Sequence, residues 1–233
     1  MLGTIVNSVA ILIGGILGIL FGNALPEKMK NTVIQGIGLA VILIGLNMAI
    51  QTKNPLVVIA SLVLGGVVGE LIDIELQLKK FGEWLEKTLS RGKQKGNFTK
   101  AFVTSSLIYC VGAMAIMGSL ESGLKGVHDI LYAKAMLDGI SAIVFTSSMG
   151  IGVLASVIPV FLYQGGITIS AGLLQNVLST PVITEMSATG GLLIIGIGIT
   201  ILEIKEIKVG NLLPGIFAAI PLTIIFSVFH LGS

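Results

Sequence analysis

The chain has 233 residues, of which 54% are hydrophobic and only 11% charged, and its formal net charge is +2. Soluble domains carry roughly 25% charged residues, so this composition excludes a water-facing shell and makes lipid the expected solvent. Thirty-one glycines extend the expectation to a packed helical bundle, because small residues let helices approach closely where hydrophobicity gives them no reason to associate.

A membrane-spanning helix needs about 20 mainly apolar residues. Residues 2–22, LGTIVNSVAILIGGILGILFG, meet that length. They lack a basic leader and run too long for a signal-peptide core, so a retained span is expected. The turn NALPEKMKN follows, then a second span at 32–50, the turn QTKNP, and a third span at 55–72. Residues 73–97, DIELQLKKFGEWLEKTLSRGKQKGN, differ: Ile74, Leu78, Phe81 and Leu85 share one helical stripe, with Trp84 beside it. That pattern predicts an amphipathic helix on the membrane surface followed by a polar linker, against the plainer reading of a solvated helix between spans. Half of the basic residues cluster between Lys79 and Lys100 (Lys79, Lys80, Lys87, Arg91, Lys93, Lys95 and Lys100), which marks a cytoplasmic loop and not a nucleic-acid site.

The fourth span is expected at 99–117, and a mixed, glycine-punctuated segment fills 118–137. The fifth begins near Asp138 and runs to about Leu162, and the stretch at 163–180 reads as a re-entrant half-helix or a further span. Spans at 186–203 and 208–230 complete seven, or eight if 163–180 crosses. Eight would put Lys205 and Lys208 on the cytoplasmic side, as the positive-inside rule prefers. The domain reading is one membrane domain, 1–233. It comprises a first repeat-like half of three spans at 1–72, the amphipathic helix and cytoplasmic linker at 73–97, and a second half at 98–233.

A weak internal echo joins GLAVILIGLNMAI, 38–50, to GLLIIGIGITIL, 191–202, with Gly38 and Gly45 spaced like Gly191 and Gly198. FVTSS at 102–106 likewise echoes FTSS at 145–148. With eight spans the copies would be oppositely oriented, the inverted repeat common among secondary transporters. Glycine-, isoleucine- and leucine-rich helices also resemble one another by chance.

Polar residues inside spans are costly and need a reason. Asp138, Glu121 and Glu70 stand in or beside spans. Each is either an interfacial cap or headgroup-facing residue, or a carboxylate lining a solvated cavity. A carboxylate taken out of water exchanges protons nearer neutral pH, and Lys125 and Lys134 are the candidate partners. Asp138, Ser141 and Ser148 fall on one helical face, and Thr104, Ser105, Ser106, Thr146 and Ser147 add hydroxyls. Such hydroxyls either bond their own preceding turn and fasten helices, or line a path. Gln164, Thr168, Thr189 and Gln175 offer further hydrogen bonds, with Asn7 and Asn47 as counterparts in the first half. The stretches GSLESGLKG, YQGGITIS and EMSATGG read as helix interruptions.

No phosphate-binding, zinc-protease or serine-hydrolase motif is present, His128 and His230 have no ligand spacing, and Cys110 is a lone thiol. No enzymatic activity and no cofactor are expected. Read together, CVGAMAIMGSLESG at 110–123, KAMLDGIS at 134–141, YQGGIT at 163–168, ATGG at 188–191, the opening GTIVN and the late VGNLLP resemble the bacterial inner-membrane family catalogued as domain of unknown function 554, the YqgA/YdfK-type proteins. The resemblance covers nearly the whole chain. It implies an integral plasma-membrane protein and implies no particular substrate.

The expected function is a secondary transporter or permease moving a small solute or ion by alternating access. Asp138 would bind or relay a cation or proton, Ser141, Ser147 and Ser148 would be neutral ligands, and Glu121 a second acid, with Gln164 and Asn7 in support. A channel lined by the same residues, and a structural or regulatory membrane protein without transport, are the alternatives. The expected partners are the lipid bilayer and a small solute or cation, without nucleic acid; a homo-oligomer is compatible with this reading.

Overall fold

The computed structural model describes residues 1–22, 27–89 and 97–228, and among them every regular element is helical. In chain order these are α1 (Leu2–Gly22), α2 (Glu27–Ala49), α3 (Pro55–Ile72), α4 (Ile74–Leu89), α5 (Asn97–Cys110), α6 (Ala113–Leu124) and α7 (Asp129–Met149). There follow α8 (Gly152–Ala155), α9 (Val157–Ile169), α10 (Ala171–Leu174), α11 (Thr180–Ile201), α12 (Val209–Leu212) and α13 (Pro214–Val228). His230 and the linker residues Arg91, Lys93 and Lys95 lie outside the described residues, as do the side chains of Leu78 and Leu85.

Among the described residues, seven segments are long and apolar enough to cross a membrane: Leu2–Leu20, Asn31–Ala49, Pro55–Ile72, Asp129–Met149, Gly152–Ile169, Thr180–Ile201 and Val209–Ser227. An eighth results if α5 and α6, bent by 57° at their junction, count as one span. The protein is therefore an all-α, polytopic membrane protein.

Several boundaries differ from the sequence reading. The fourth span, expected unbroken over 99–117, is cut between α5 and α6. The fifth, expected from Asp138 to about Leu162, does not exist as one helix. Instead α7 starts at Asp129 and ends at Gly150, whose φ of 93° is the backbone region glycine enters without penalty. Asp138 therefore sits inside the helix, not at its N-cap. The charged residues at 129 and 134 made this start look like a loop by composition, but Lys134 is neutralised within the helix. The stretch at 163–180 is likewise divided: 163–169 completes the Gly152–Ile169 span, and 171–174 forms the short α10. Helix α11 opens at Thr180 with Pro181 in its first turn, where a missing N–H costs nothing. This brings Glu185 inside a span expected to start one residue later.

The chain packs as two compact units. The first comprises Met1–Ile37, Lys79–Cys110 and Met114–Leu174. Its centre is the crossing of α1 on α7, where a Cβ on Gly14 would strike the Gly139 carbonyl and one on Gly18 the Ile143 carbonyl, while one on Gly15 would strike the Leu154 side chain of α8. Gly3 meets Leu131, Gly14 meets Gly139 and Ala142, and Gly18 meets Ile143 and Thr146. Residue numbers rise together along both helices, so α1 and α7 run parallel. Both are inside-out by soluble standards. Ile5, Val9, Ile13 and Leu20 on α1, and Met136, Leu137 and Ile140 on α7, are exposed, while Thr4, Asn7, Ser8, Lys134 and Asp138 are buried. Lipid can solvate the first set and not the second. Phe98 and Phe102 of α5 form an apolar cluster with Ala155. In α4, Phe81 of the expected stripe stacks on Trp84 and tilts against Phe102, each at 5.8 Å between ring centroids.

The second unit comprises Gly38–Leu78, Val111–Ala113 and Gln175–Ser233. Here the two echoed segments meet face to face. A Cβ on Gly45 would strike the Gly191 carbonyl and one on Gly191 the Gly45 carbonyl, while Gly198 lies against the Gly38 carbonyl. The numbers run in opposite directions, so this crossing of α2 on α11 is antiparallel. Helices α3 and α13 cross in the same sense, Gly65 against Gly215 and Gly69 against Asn211.

Candidate functional site

Helix α7 carries Lys134 and Asp138 one turn apart, so both side chains emerge on one face. Their groups meet at 2.8 Å (Lys134 Nζ to Asp138 Oδ2), and Lys134 also donates to Asp138 Oδ1 at 3.0 Å. Both residues are buried, at 7% and 6% exposure. Asp138 lies nine residues after the start of α7 and eleven before its end, which puts it about 13 Å and 16 Å from the two ends at 1.5 Å per residue.

Two other helices complete the pair's surroundings. From α1, Asn7 Nδ2 donates to Asp138 Oδ2 at 3.0 Å and to Gln164 Oε1 of α9 at 3.3 Å. Asn7 and Gln164 are fully buried. Each amide uses one end only: Asn7 Oδ1 and Gln164 Nε2 are buried and have no hydrogen-bond partner. The same holds for Thr4 Oγ1 and Ser8 Oγ, which share the Asn7 face of α1 by their spacing of three, four and one residues. Unmade hydrogen bonds of this kind cost about 1–3 kcal/mol each in an apolar interior, so the site carries polar capacity that its own side chains leave unused.

The remaining predicted residues divide. Ser141 Oγ donates to the Asp138 backbone carbonyl at 3.0 Å and lies 3.4 Å from the Tyr109 hydroxyl of α5, at the edge of the site. Ser147 instead bonds the Val144 carbonyl in its own turn, and Ser105, Ser106 and Thr168 do likewise with their preceding turns. Ser148 Oγ and Thr146 Oγ1 are buried without a partner. Glu121 is not brought to Asp138: it pairs with Lys125 at 3.2 Å on the same helix turn, half in the open. Glu70 receives Lys208 Nζ and Asn211 Nδ2, both at 2.7 Å, and Glu75 receives the Gly210 N–H. These contacts fasten the end of α3 to the start of α12. The adjacent carboxylate holds the exposed Lys208 ammonium above its usual pKa.

One buried carboxylate was missed. Glu185 of α11, 3% exposed, accepts from Thr52 Oγ1 at 2.5 Å and from the backbone N–H groups of Lys53 at 2.8 Å and Asn54 at 3.2 Å. It thereby satisfies donors just ahead of α3, whose own N-cap is Asn54. The signal was present in the sequence: an acid directly ahead of the uncharged 17-residue run 186–202, and a polar TKN turn needing acceptors.

A family model described as "Protein of unknown function (DUF554)" matches residues 2–224. The chain belongs to this family. It is 34% identical over 236 residues, covering all of this chain and 99% of the relative, to the "Uncharacterized membrane protein YdfK" of Bacillus subtilis (strain 168). It is 30% identical over 226 residues, 95% of this chain and 96% of the relative, to the "Uncharacterized protein YqgA" of Escherichia coli (strain K12). No solved structure matches the chain. Membership of the DUF554 family agrees with the membrane fold and leaves the activity to the residues.

Proposed function

We propose that this DUF554 protein is a secondary transporter that moves a small solute or ion across the bacterial plasma membrane, coupled to a cation or proton through Asp138. The supporting observation is the convergence of α1, α7 and α9 on one buried ion pair whose neighbouring amides keep unpaired ends. Ion pairs buried in this way contribute little net stability and are often replaceable by apolar residues. Inside a membrane their retention points to work done on ions. Bacterial relatives of matching length support the plasma-membrane assignment. This reading uses no catalytic residue and no cofactor.

A second reading has its own support. The hydroxyls of Ser105, Ser106, Ser147 and Thr168 bond within their own helices, as they would in a protein whose polar groups only fasten helices. Solute flux into proteoliposomes separates the two. Saturable uptake driven by an ion gradient is expected, with Asp138→Asn losing the coupling while folding normally. Unaltered uptake by that variant at every pH removes Asp138 from the mechanism, and conductance far above carrier turnover replaces the carrier by a channel.

A further inference from the structure

We propose that the Asp138 carboxylate is a binding site for a desolvated monovalent cation of sodium's class. The Lys134 ammonium is its built-in occupant, withdrawing when the cation enters. For turnover this rests on the transport reading above, since it names the ion that reading leaves open; the binding step stands independently.

The two members of the pair differ in how easily they can leave. Lys134 lies five residues from the start of α7, about 7 Å along the axis, a distance comparable with the reach of its four-carbon stem, which lets lysines near helix ends shift their charge toward water. Asp138 has a short side chain nine residues in and cannot follow. The carboxylate is the fixed charge and the ammonium the movable one.

What surrounds the carboxylate is oxygen-rich. Small hard cations take oxygen ligands, and Asp138 supplies two oxygens while Gln164 Oε1 is one amide away. Asn7 turns its nitrogen to the carboxylate while Lys134 is in place and keeps Oδ1 unpaired. Half a turn of that amide exchanges the two, presenting an oxygen where a cation replaces the ammonium. Thr4 Oγ1 and Ser8 Oγ stand unpaired on the same helix face. Asn7 Oδ1 is thus an unsatisfied buried acceptor on a side chain that touches the charge, and such a group asks for a function.

Charge selects the valence. Exchanging one positive unit for another leaves the buried site neutral, whereas a divalent ion would leave one unit uncompensated where hydrocarbon penalises it. The titratable groups facing the pair are Tyr109 and Cys110 of α5, with Tyr163 of α9 beside Cys110. From α1 the Asn7 amide meets the carboxylate.

The test is thermal unfolding of the purified full-length protein in detergent, in sodium chloride against N-methylglucamine chloride at equal ionic strength. K134Q should gain a sodium-dependent rise in melting temperature with an affinity at least about tenfold above wild type, because a unit positive charge has been removed from beside the carboxylate. D138N should show no sodium response. If K134Q does not fold, wild type at alkaline pH decides: a sodium response that D138N abolishes supports the site, and none overturns it. K134Q indifferent to sodium overturns the proposal. A K134Q response to pH but not to sodium also overturns the inorganic-cation assignment, leaving the proton. Flux on the same preparations is scored separately: sodium binding without flux removes the transport reading and keeps the site, and flux without sodium binding keeps the transport reading and overturns the site.

Discussion

Asp138 and Glu185 are both carboxylates sealed inside long apolar helices, yet their partners set them to different tasks. Glu185 is held by a turn's hydroxyl and two backbone N–H groups, donors that cannot leave without unravelling the entry to α3. Its role is to hold the turn. Glu185→Ala should therefore cost about 2–4 kcal/mol of stability, the penalty of leaving buried donors unpaired, measurable by denaturation in mixed micelles. A loss below 0.5 kcal/mol, on the order of ordinary surface changes, would rule that role out. Asp138 is held by the Lys134 ammonium and the Asn7 amide, side chains that the proposed cation exchange would require to move. At the exposed pair of Lys208 and Glu70 the linkage runs the other way in importance. The lysine's folded-state pKa is raised, so its contribution is complete below the unfolded value and fades as pH climbs through the raised one. Comparing wild type with Glu70→Gln, the difference should persist through neutral pH, fade at strongly alkaline pH and shrink with added salt; a difference that grows as pH rises above neutral would contradict it.

At the scale of elements, backbone proximity separates glycines that are needed from those that are not. Gly14 and Gly45 face carbonyl oxygens of the partner helix so closely that a side chain must part the crossing. Gly14→Val or Gly45→Val should destabilise by about 1–3 kcal/mol, as overpacking does. Gly36, inside α2, has nothing near the position its Cβ would take, so Gly36→Ala should leave stability unchanged or raise it by up to about 1 kcal/mol through helix propensity. Parallel thermal melts of the three variants check the ranking. The echo between 38–50 and 191–202 gains a physical meaning here. The matched glycines are the two sides of one antiparallel crossing, where close approach needs the same spacing on both helices.

For the whole molecule, helix direction decides the count of crossings. Helices α1 and α7 run parallel, and α2 and α3 lie between them in the chain as two spans. If each of these helices crosses, the chain returns across the membrane once between α3 and α7, and among the described residues the bent pair α5 and α6 is the candidate for that crossing. Eight crossings are then expected. The turn at 203–208 lies on the same side as the loop after α3, and opposite the turn at 51–54. The contacts agree, since Glu70 and Glu75 reach Lys208 and Gly210, while Glu185 reaches Thr52. Single cysteines placed at Lys53 and Lys205 in a Cys110→Ser background should label from opposite faces with an impermeant maleimide. Labelling from one face would return the count to seven.

Composition alone settled that this chain lives in lipid and is helical, because 11% charge cannot cover a soluble core and runs of 20 apolar residues have only one stable form in hydrocarbon. Asp138 and Asn7 could be picked out because each is polar at or within an expected span, whereas Gln164 lay in the ambiguous stretch at 163–180 and Lys134 in the mixed segment ahead of the fifth span, where it entered only as a candidate partner. Which of them meet was not available from spacing: Asn7, Asp138 and Gln164 are separated by 131 and 157 positions and are joined only by how α1 and α9 pack on α7. The start of α7 escaped for a related reason. A charge looks like a loop until its neutralising partner is found one turn away, and pairing is a property of the packed helix. Glu121 and Ser147 show the converse, residues of the right type whose hydrogen bonds are spent locally. Residue chemistry is written along the chain, whereas proximity is created by folding, and an ion site needs both.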